Sequence, residues 1–320
     1  MLERLDPELA APLQEFLDIT GGGFQLYDFP SSRGTVNQIV AALKGKIPEV
    51  EGVTIENRQA TGPDQAPDVT VRIYQPTDRP PMLPGLLWIH GGGYVFGNVE
   101  GDDLRLKQLV KAVNCVVLSV DYRLAPENPF PAPLEDCYAA LKWLIAYADE
   151  LGVDKSRIAI GGTSAGGGLA SGLALLARDR AEVDIAFQLL IYPMLDDKNV
   201  APASASLPDT PVWSRDNNLF GWKAYLGCDP GGEGVSPYAA ALRATDLTGL
   251  PPTYIGVGET DLFLDESIHY AQRLLRAGVP TELHVYPGAF HCFDVYASTT
   301  TVSQRFITER NHILKRVFYH

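Results

Sequence analysis

What most constrains this chain is a succession of short, continuous apolar runs separated by helical stretches. Residues 86–89, 116–120, 158–160, 189–191 and 254–257 are runs of that kind, and helical periodicity falls near 102–113, 134–149, 165–178, 265–277 and 303–318. Apolar runs this short, with no polar face, suit strands buried on both sides. Their alternation with helices predicts a mostly parallel sheet with helices packed on both faces, an α/β fold. Residues 69–74 instead alternate apolar and polar, as a half-exposed antiparallel strand would, and 281–286 reads as a further strand.

Two places break the rhythm. Before the first strand, Leu9, Leu13, Phe16 and Leu17 predict a helix over 7–18, and Val36, Ile39, Val40 and Leu43 predict another over 34–44. A Gly21-Gly22-Gly23 hinge and the aromatic Phe24, Tyr27 and Phe29 lie between them. The second break is the stretch from 193 to 252, far longer than one crossover helix requires. It contains Trp213, Phe220, Trp222 and Tyr225, with helical potential at 215–226. Neither piece is large enough to have its own core. The expected organisation is therefore an α/β core made of residues 51–192 and 231–320, covered by a helical cap made of residues 1–50 and 193–230. A cap belongs beyond the carboxyl ends of the strands, where open parallel sheets bind their ligands.

Composition narrows the partners. The net charge of −13 and pI near 4.9 oppose phosphate backbones and anionic membrane surfaces, so no nucleic-acid partner is expected. No run approaches the roughly 18 apolar residues of a membrane helix, so no membrane insertion is expected. The N-terminus does not read as a secretion signal, which makes a cytoplasmic protein the expectation. Cys115, Cys137, Cys228 and Cys292 are scattered, with no CxxC pair to suggest a disulfide framework or a metal site.

The chemistry is concentrated in three places. Gly162-Thr163-Ser164-Ala165-Gly166 fits G-x-S-x-G and lies between the run at 158–160 and a helix. A serine on such a strand-to-helix turn is lifted clear of the sheet at a helix N-terminus, a position suited to a nucleophile. His90-Gly91-Gly92-Gly93 follows the run at 86–89, and its glycines leave backbone N–H groups free to approach a ligand. With the N–H of Ala165, these groups make a candidate oxyanion hole of Gly91, Gly92, Gly93 and Ala165. Neither GxGxxG nor GxxxxGK[ST] is present, which argues against phosphate binding. Of the six histidines, His291 alone follows a strand end through a turn, where a general base can reach the serine. Asp261 and Glu259, just beyond the run at 254–257, both qualify by location to orient that base. Asp261 is taken first and Glu259 held in reserve; Asp265 and Glu266 read as first-turn acids that favour the helix dipole.

These residues resemble the bacterial hormone-sensitive-lipase-like esterases, the HGGG branch of the α/β-hydrolases. The resemblance covers nearly all of the chain beyond residue 70. It rests on His90-Gly91-Gly92-Gly93-Tyr94, on Asp121-Tyr122-Arg123-Leu124-Ala125-Pro126-Glu127, on the GTSAG elbow, on Ser236-Pro237-Tyr238, on the segment from Asp261 to Glu266, and on Pro287-Gly288-Ala289-Phe290-His291. It implies an α/β-hydrolase fold with a helical cap and a serine carboxylesterase for short- to medium-chain acyl esters. It also implies no cofactor, a small-molecule ester as partner, and Asp261 as the acid of a Ser164–Asp261–His291 triad. The chain departs from the family at Leu262, where proline is usual, and at Cys292, where glycine commonly follows the histidine. Tyr94, Phe96, Phe24, Trp213 and Phe220 are candidates to line the substrate pocket. An amidase or thioesterase would use the same triad, and a small-molecule receptor on this fold would be expected to lack one of its members. The terminal helix at 303–318 is amphipathic and serves either as a homodimer surface or as packing against the sheet.

Overall fold

The computed structural model describes residues 4–24, 33–34, 50–198 and 212–320. Eight strands form one sheet: β1 (Val53–Ala60), β2 (Val69–Pro76), β3 (Leu83–Ile89), β4 (Val116–Val120), β5 (Val153–Thr163), β6 (Phe187–Ile191), β7 (Thr253–Gly258) and β8 (Thr281–Tyr286). Their order across the sheet is β1-β2-β4-β3-β5-β6-β7-β8. β2 runs antiparallel to both β1 and β4, and the strands from β4 to β8 pair in parallel.

The continuous apolar runs are buried on both faces, and successive side chains serve opposite layers. Leu87 and Ile89 of β3 enter one core cluster, while Leu86 and Trp88 enter the other. Over the first face pack α3 (Ala132–Ala146), α4 (Ala148–Leu151), α5 (Ala165–Arg180) and α7 (Leu264–Arg276). Over the second pack α1 (Pro7–Thr20), α2 (Asp103–Val113), α8 (Phe293–Tyr296) and α9 (Thr301–Tyr319). α9 buries Phe306, Ile313, Leu314 and Phe318 in that second layer, so its apolar stripe is spent on helix-on-sheet packing.

Local signals fix the element ends. Asp6 caps α1 by accepting the Glu8 N–H at 2.9 Å, Pro7 occupies its first turn, and Gly21 closes it at φ 67°. In the long interval after β6, Ser214 caps α6 (Arg215–Leu226) through the Asn217 N–H at 3.2 Å, and Gly227 ends it at φ 69°. The helix expected over 134–149 divides at Tyr147, whose ring stacks on Trp143. β1 has no counterpart in the sequence reading. Its polar run Glu56-Asn57-Arg58-Gln59 hides the alternation, as suits an exposed edge strand. The helix expected over 34–44 lies outside the described residues, apart from Gly34.

Candidate active site

Four strand ends converge on one place: β3 leads into His90, β5 into Ser164, β7 into Asp261 and β8 into His291. Ser164 has φ 54° and ψ −120°, a conformation side-chain-bearing residues seldom adopt, and it lies between β5 and α5. Neighbouring backbone holds it there. The Ser164 N–H donates to the Ile191 carbonyl at 2.9 Å, and its own carbonyl accepts from the N–H groups of Gly168 and Met194 at 3.0 Å. Glycine is required on the far side of the turn, because a Cβ on Gly166 would lie 2.1 Å from the Ile89 carbonyl oxygen and 2.5 Å from that of His90. The tight turn therefore also brings the elbow against the end of β3.

His291 Nε2 lies 3.1 Å from Ser164 Oγ, and His291 Nδ1 lies 2.8 Å from Asp261 Oδ2. The other Asp261 oxygen accepts the Phe263 N–H at 2.9 Å, which fixes the carboxylate. All three side chains are buried. Burial works against the imidazolium, but the Asp261 carboxylate and the neighbouring Cys292 together outweigh it and hold the His291 pKa well above the ordinary histidine value. Glu259, the alternative acid, is engaged elsewhere. It accepts the Gly288 N–H at 2.9 Å and pairs with Arg4 at 3.0 Å, and these bonds lower its pKa. Its role is to hold the turn before His291 and the N-terminal end of the described chain.

The glycine loop wraps the mouth of the elbow. Gly92 and Gly93 have φ of 117° and 57°, and the Gly92 carbonyl accepts the N–H groups of Val95 and Phe96 at 3.0 and 2.9 Å. Among the described residues, no hydrogen bond takes the N–H of Gly92, Gly93 or Ala165, so three donors remain for a ligand. A Cβ on Gly93 would lie 2.2 Å from the Trp213 ring, which packs directly over the loop. His90 is a structural member of the loop. Its ring stacks on Tyr122 at 4.3 Å and its Nδ1 lies 2.8 Å from the Gly91 carbonyl oxygen.

Ser164, His291 and the loop open into a cavity of about 190 Å³. Phe24, Phe96 and Trp213 stand in its wall with Tyr192, Val212 and Tyr296. Two expected wall residues do not. Tyr94 is fully buried, stacked on Tyr225 at 3.9 Å with its hydroxyl donating to the Met194 carbonyl, so the residue after the glycines anchors the loop in the core. Phe220 is half-buried on α6 and is not among the residues that line the cavity. Asn217 of α6 donates to the Phe24 carbonyl at 2.8 Å, so the interval after β6 touches the N-terminal segment beside the cavity.

Several supporting residues escaped the sequence reading. The His291 ring is held edge-to-face between Tyr192, at 4.7 Å, and Phe263, at 5.1 Å. The Tyr192 hydroxyl donates to Asp294 Oδ1 at 2.8 Å, and Arg105 Nη2 bonds both that hydroxyl and Asp294 Oδ2 at 3.1 Å. Burial opposes the Arg105 charge, and Asp294, Tyr192 and Asp102 together more than restore it. Asp294 is three residues beyond His291, a spacing that could have flagged it; Arg105 and Tyr192 carry no comparable signal. Glu266 is buried in α7, where its carboxylate accepts the Leu195 N–H at 2.7 Å, and burial pushes its pKa well above the carboxylate range. Its first-turn position reads from the sequence as an acid that favours the helix dipole. Cys292 has φ 62°, the left-handed region, which gives a physical reason for the glycine common at this position in the resembled family.

Comparison with known proteins agrees with this geometry. A model of the alpha/beta hydrolase fold matches residues 86–295. Carboxylesterase NlhH of Mycobacterium tuberculosis is 38% identical over 246 residues, 76% of this chain and 76% of its own length. An arylesterase of Saccharolobus solfataricus is 34% identical over 90% of this chain and 92% of its own. Among solved structures, a bacterial heroin esterase superposes with a TM-score of 0.94 at 43% identity, covering 100% of this chain and 99% of that one. Its sheet order, nucleophile elbow and glycine loop, together with these relatives, place the chain in the α/β-hydrolase family, among the hormone-sensitive-lipase-like bacterial carboxylesterases.

Proposed function

We propose that this carboxylic ester hydrolase cleaves short- to medium-chain acyl esters by two-step acyl transfer through Ser164. Ser164 Oγ attacks the ester carbonyl as His291 takes its proton, and the N–H groups of Gly92, Gly93 and Ala165 receive the oxyanion, with Gly91 shaping the loop. The C–O bond to the alcohol breaks as His291 returns the proton to the departing oxygen. Water, deprotonated by the same imidazole, then attacks the acyl-enzyme, and the acyl–Oγ bond breaks as His291 returns that proton to Ser164 Oγ, releasing the acid. Asp261 holds the imidazole tautomer and supports the transient positive charge. The observation that carries this reading is the hydrogen-bonded chain from Ser164 through His291 to Asp261, at 3.1 and 2.8 Å, opening on glycine N–H groups that take no partner among the described residues.

The cavity volume supports small acyl groups. Butanoyl to octanoyl nitrophenyl esters are expected to turn over well and palmitoyl esters poorly; a chain-length series peaking at palmitoyl would overturn the assignment. The split cap, residues 1–50 with 193–230, is supported by the Asn217–Phe24 bond and by Trp213 over Gly93. Among the described residues, no helix is long and apolar enough to cross a membrane. Cytoplasmic residence is supported by four free cysteines, and a homodimer would have to use surfaces other than the buried stripe of α9.

A further inference from the structure

We infer that Arg33 is a positioning residue for the oxyanion loop: its guanidinium ties the N-terminal part of the chain to the loop that carries Gly92 and Gly93. This rests on the reading of those two glycines as oxyanion donors. Arg33 Nε donates to the Val95 carbonyl at 2.8 Å and Nη2 to the Ala125 carbonyl at 2.7 Å. Nη1 and Nη2 also engage both oxygens of Glu127, at 2.7 and 2.9 Å. Four bonds from one planar fork fix its orientation in a way that a single ammonium could not.

The acceptors give the contact its meaning. Val95 is two residues beyond Gly93, and its N–H donates to the Gly92 carbonyl. The Tyr94 carbonyl accepts the Ala125 N–H at 3.0 Å, so Arg33 closes a ring that joins the glycine loop to the segment 125–127. Among the described residues, no other donor reaches the Val95 or Ala125 carbonyl. With Arg33 removed, the ring is left with the single Tyr94–Ala125 bond.

Magnitudes separate this role from a merely structural one. The Arg33 and Glu127 side chains are 27% and 57% exposed, and ion pairs so exposed contribute little to stability. Transition-state stabilisation is far more sensitive, because oxyanion donors must meet a charge that exists only in passing. Loss of Arg33 should therefore lower turnover without weakening ground-state binding or the fold.

The test compares Arg33→Ala and Arg33→Lys with the wild-type full chain on nitrophenyl butanoate. Butylboronic acid serves as the tetrahedral analogue and butanoate as the product. For Arg33→Ala the expected result is a kcat loss of about 10- to 100-fold with KM within about threefold. Butylboronic acid affinity should fall in proportion to kcat, while butanoate inhibition stays unchanged. Arg33→Lys should lie between the two; it is read by the same criteria if the alanine variant fails to fold. A kcat within about threefold of wild type, or boronate and butanoate affinities falling together, would overturn the inference. Phosphonate labelling of wild-type Ser164 separates the two readings. A wild type not labelled there overturns the oxyanion reading and this one with it, whereas a labelled wild type beside an unaffected Arg33→Ala overturns this one alone.

Discussion

On the Ser164 side of the site, positioning is the work of backbone; on the His291 side it is the work of side chains. Ser164 is set by the join of β5 to α5, by three main-chain hydrogen bonds and by glycines whose replacement would drive a Cβ into the end of β3. His291 is in a loop, and what fixes it is Asp261, the rings of Tyr192 and Phe263, and the Arg105–Asp294 pair bonded to the Tyr192 hydroxyl. A nucleophile must be presented at one fixed angle, which rigid backbone supplies. A base passes a proton from one oxygen to another, and a ring held by contacts can be tuned through them.

That contrast orders the expected losses. Ser164→Ala removes the nucleophile and should lower kcat by about 10⁴-fold or more with the fold intact, checked by burst kinetics and circular dichroism. Asp261→Asn should cost about 10³- to 10⁴-fold, because the imidazole loses its tautomer and the support of its charge. Glu259→Gln should leave kcat nearly unchanged, and the reverse ranking would transfer the acid role to Glu259. The same pair sharpens the pH profile. His291 must be neutral to accept the serine proton, so activity is present above its pKa and lost as pH falls through it. Because the Asp261 carboxylate raises that pKa, the acid limb of kcat/KM in Asp261→Asn should move to lower pH as the plateau drops. Tyr192→Phe is the mildest change, since the ring stays and only the hydroxyl shared by Arg105 and Asp294 is lost. A kcat loss of about tenfold with KM little altered is expected. No change in kcat would show that the two rings alone hold the imidazole.

The sequence was most legible where backbone decides. The apolar runs that became β3 to β7, the elbow around Ser164 and the glycines at 91–93 all have a local pattern that follows from what the backbone needs there. The run at 281–286 and the helix at 215–226 match β8 and α6. It was less legible where partners come from distant segments. Arg105 and Tyr192 meet Asp294 only through the fold, and nothing in the neighbourhood of either marks it as a partner. β1 was missed because an exposed edge strand has no apolar face to display. Tyr94 and Phe220 were expected in the cavity wall because aromatic residues suit both cores and pockets; Tyr94 stacks inside the core and Phe220 lies off the wall. Glu266 reads as a helix-start acid that favours the dipole, and only the fold supplies the Leu195 N–H that its buried carboxylate accepts.

The central claim, acyl transfer through a backbone-presented Ser164 served by a side-chain-held His291, is tested most directly by trapping the acyl-enzyme. Rapid acid quench of the full chain during turnover of nitrophenyl butanoate, followed by peptide mass spectrometry, should find the butanoyl group on the peptide containing Ser164. Asp261→Asn should form that adduct more slowly and Ser164→Ala should not form it. Full turnover by Ser164→Ala, or a butanoyl group carried on another residue, would contradict the account.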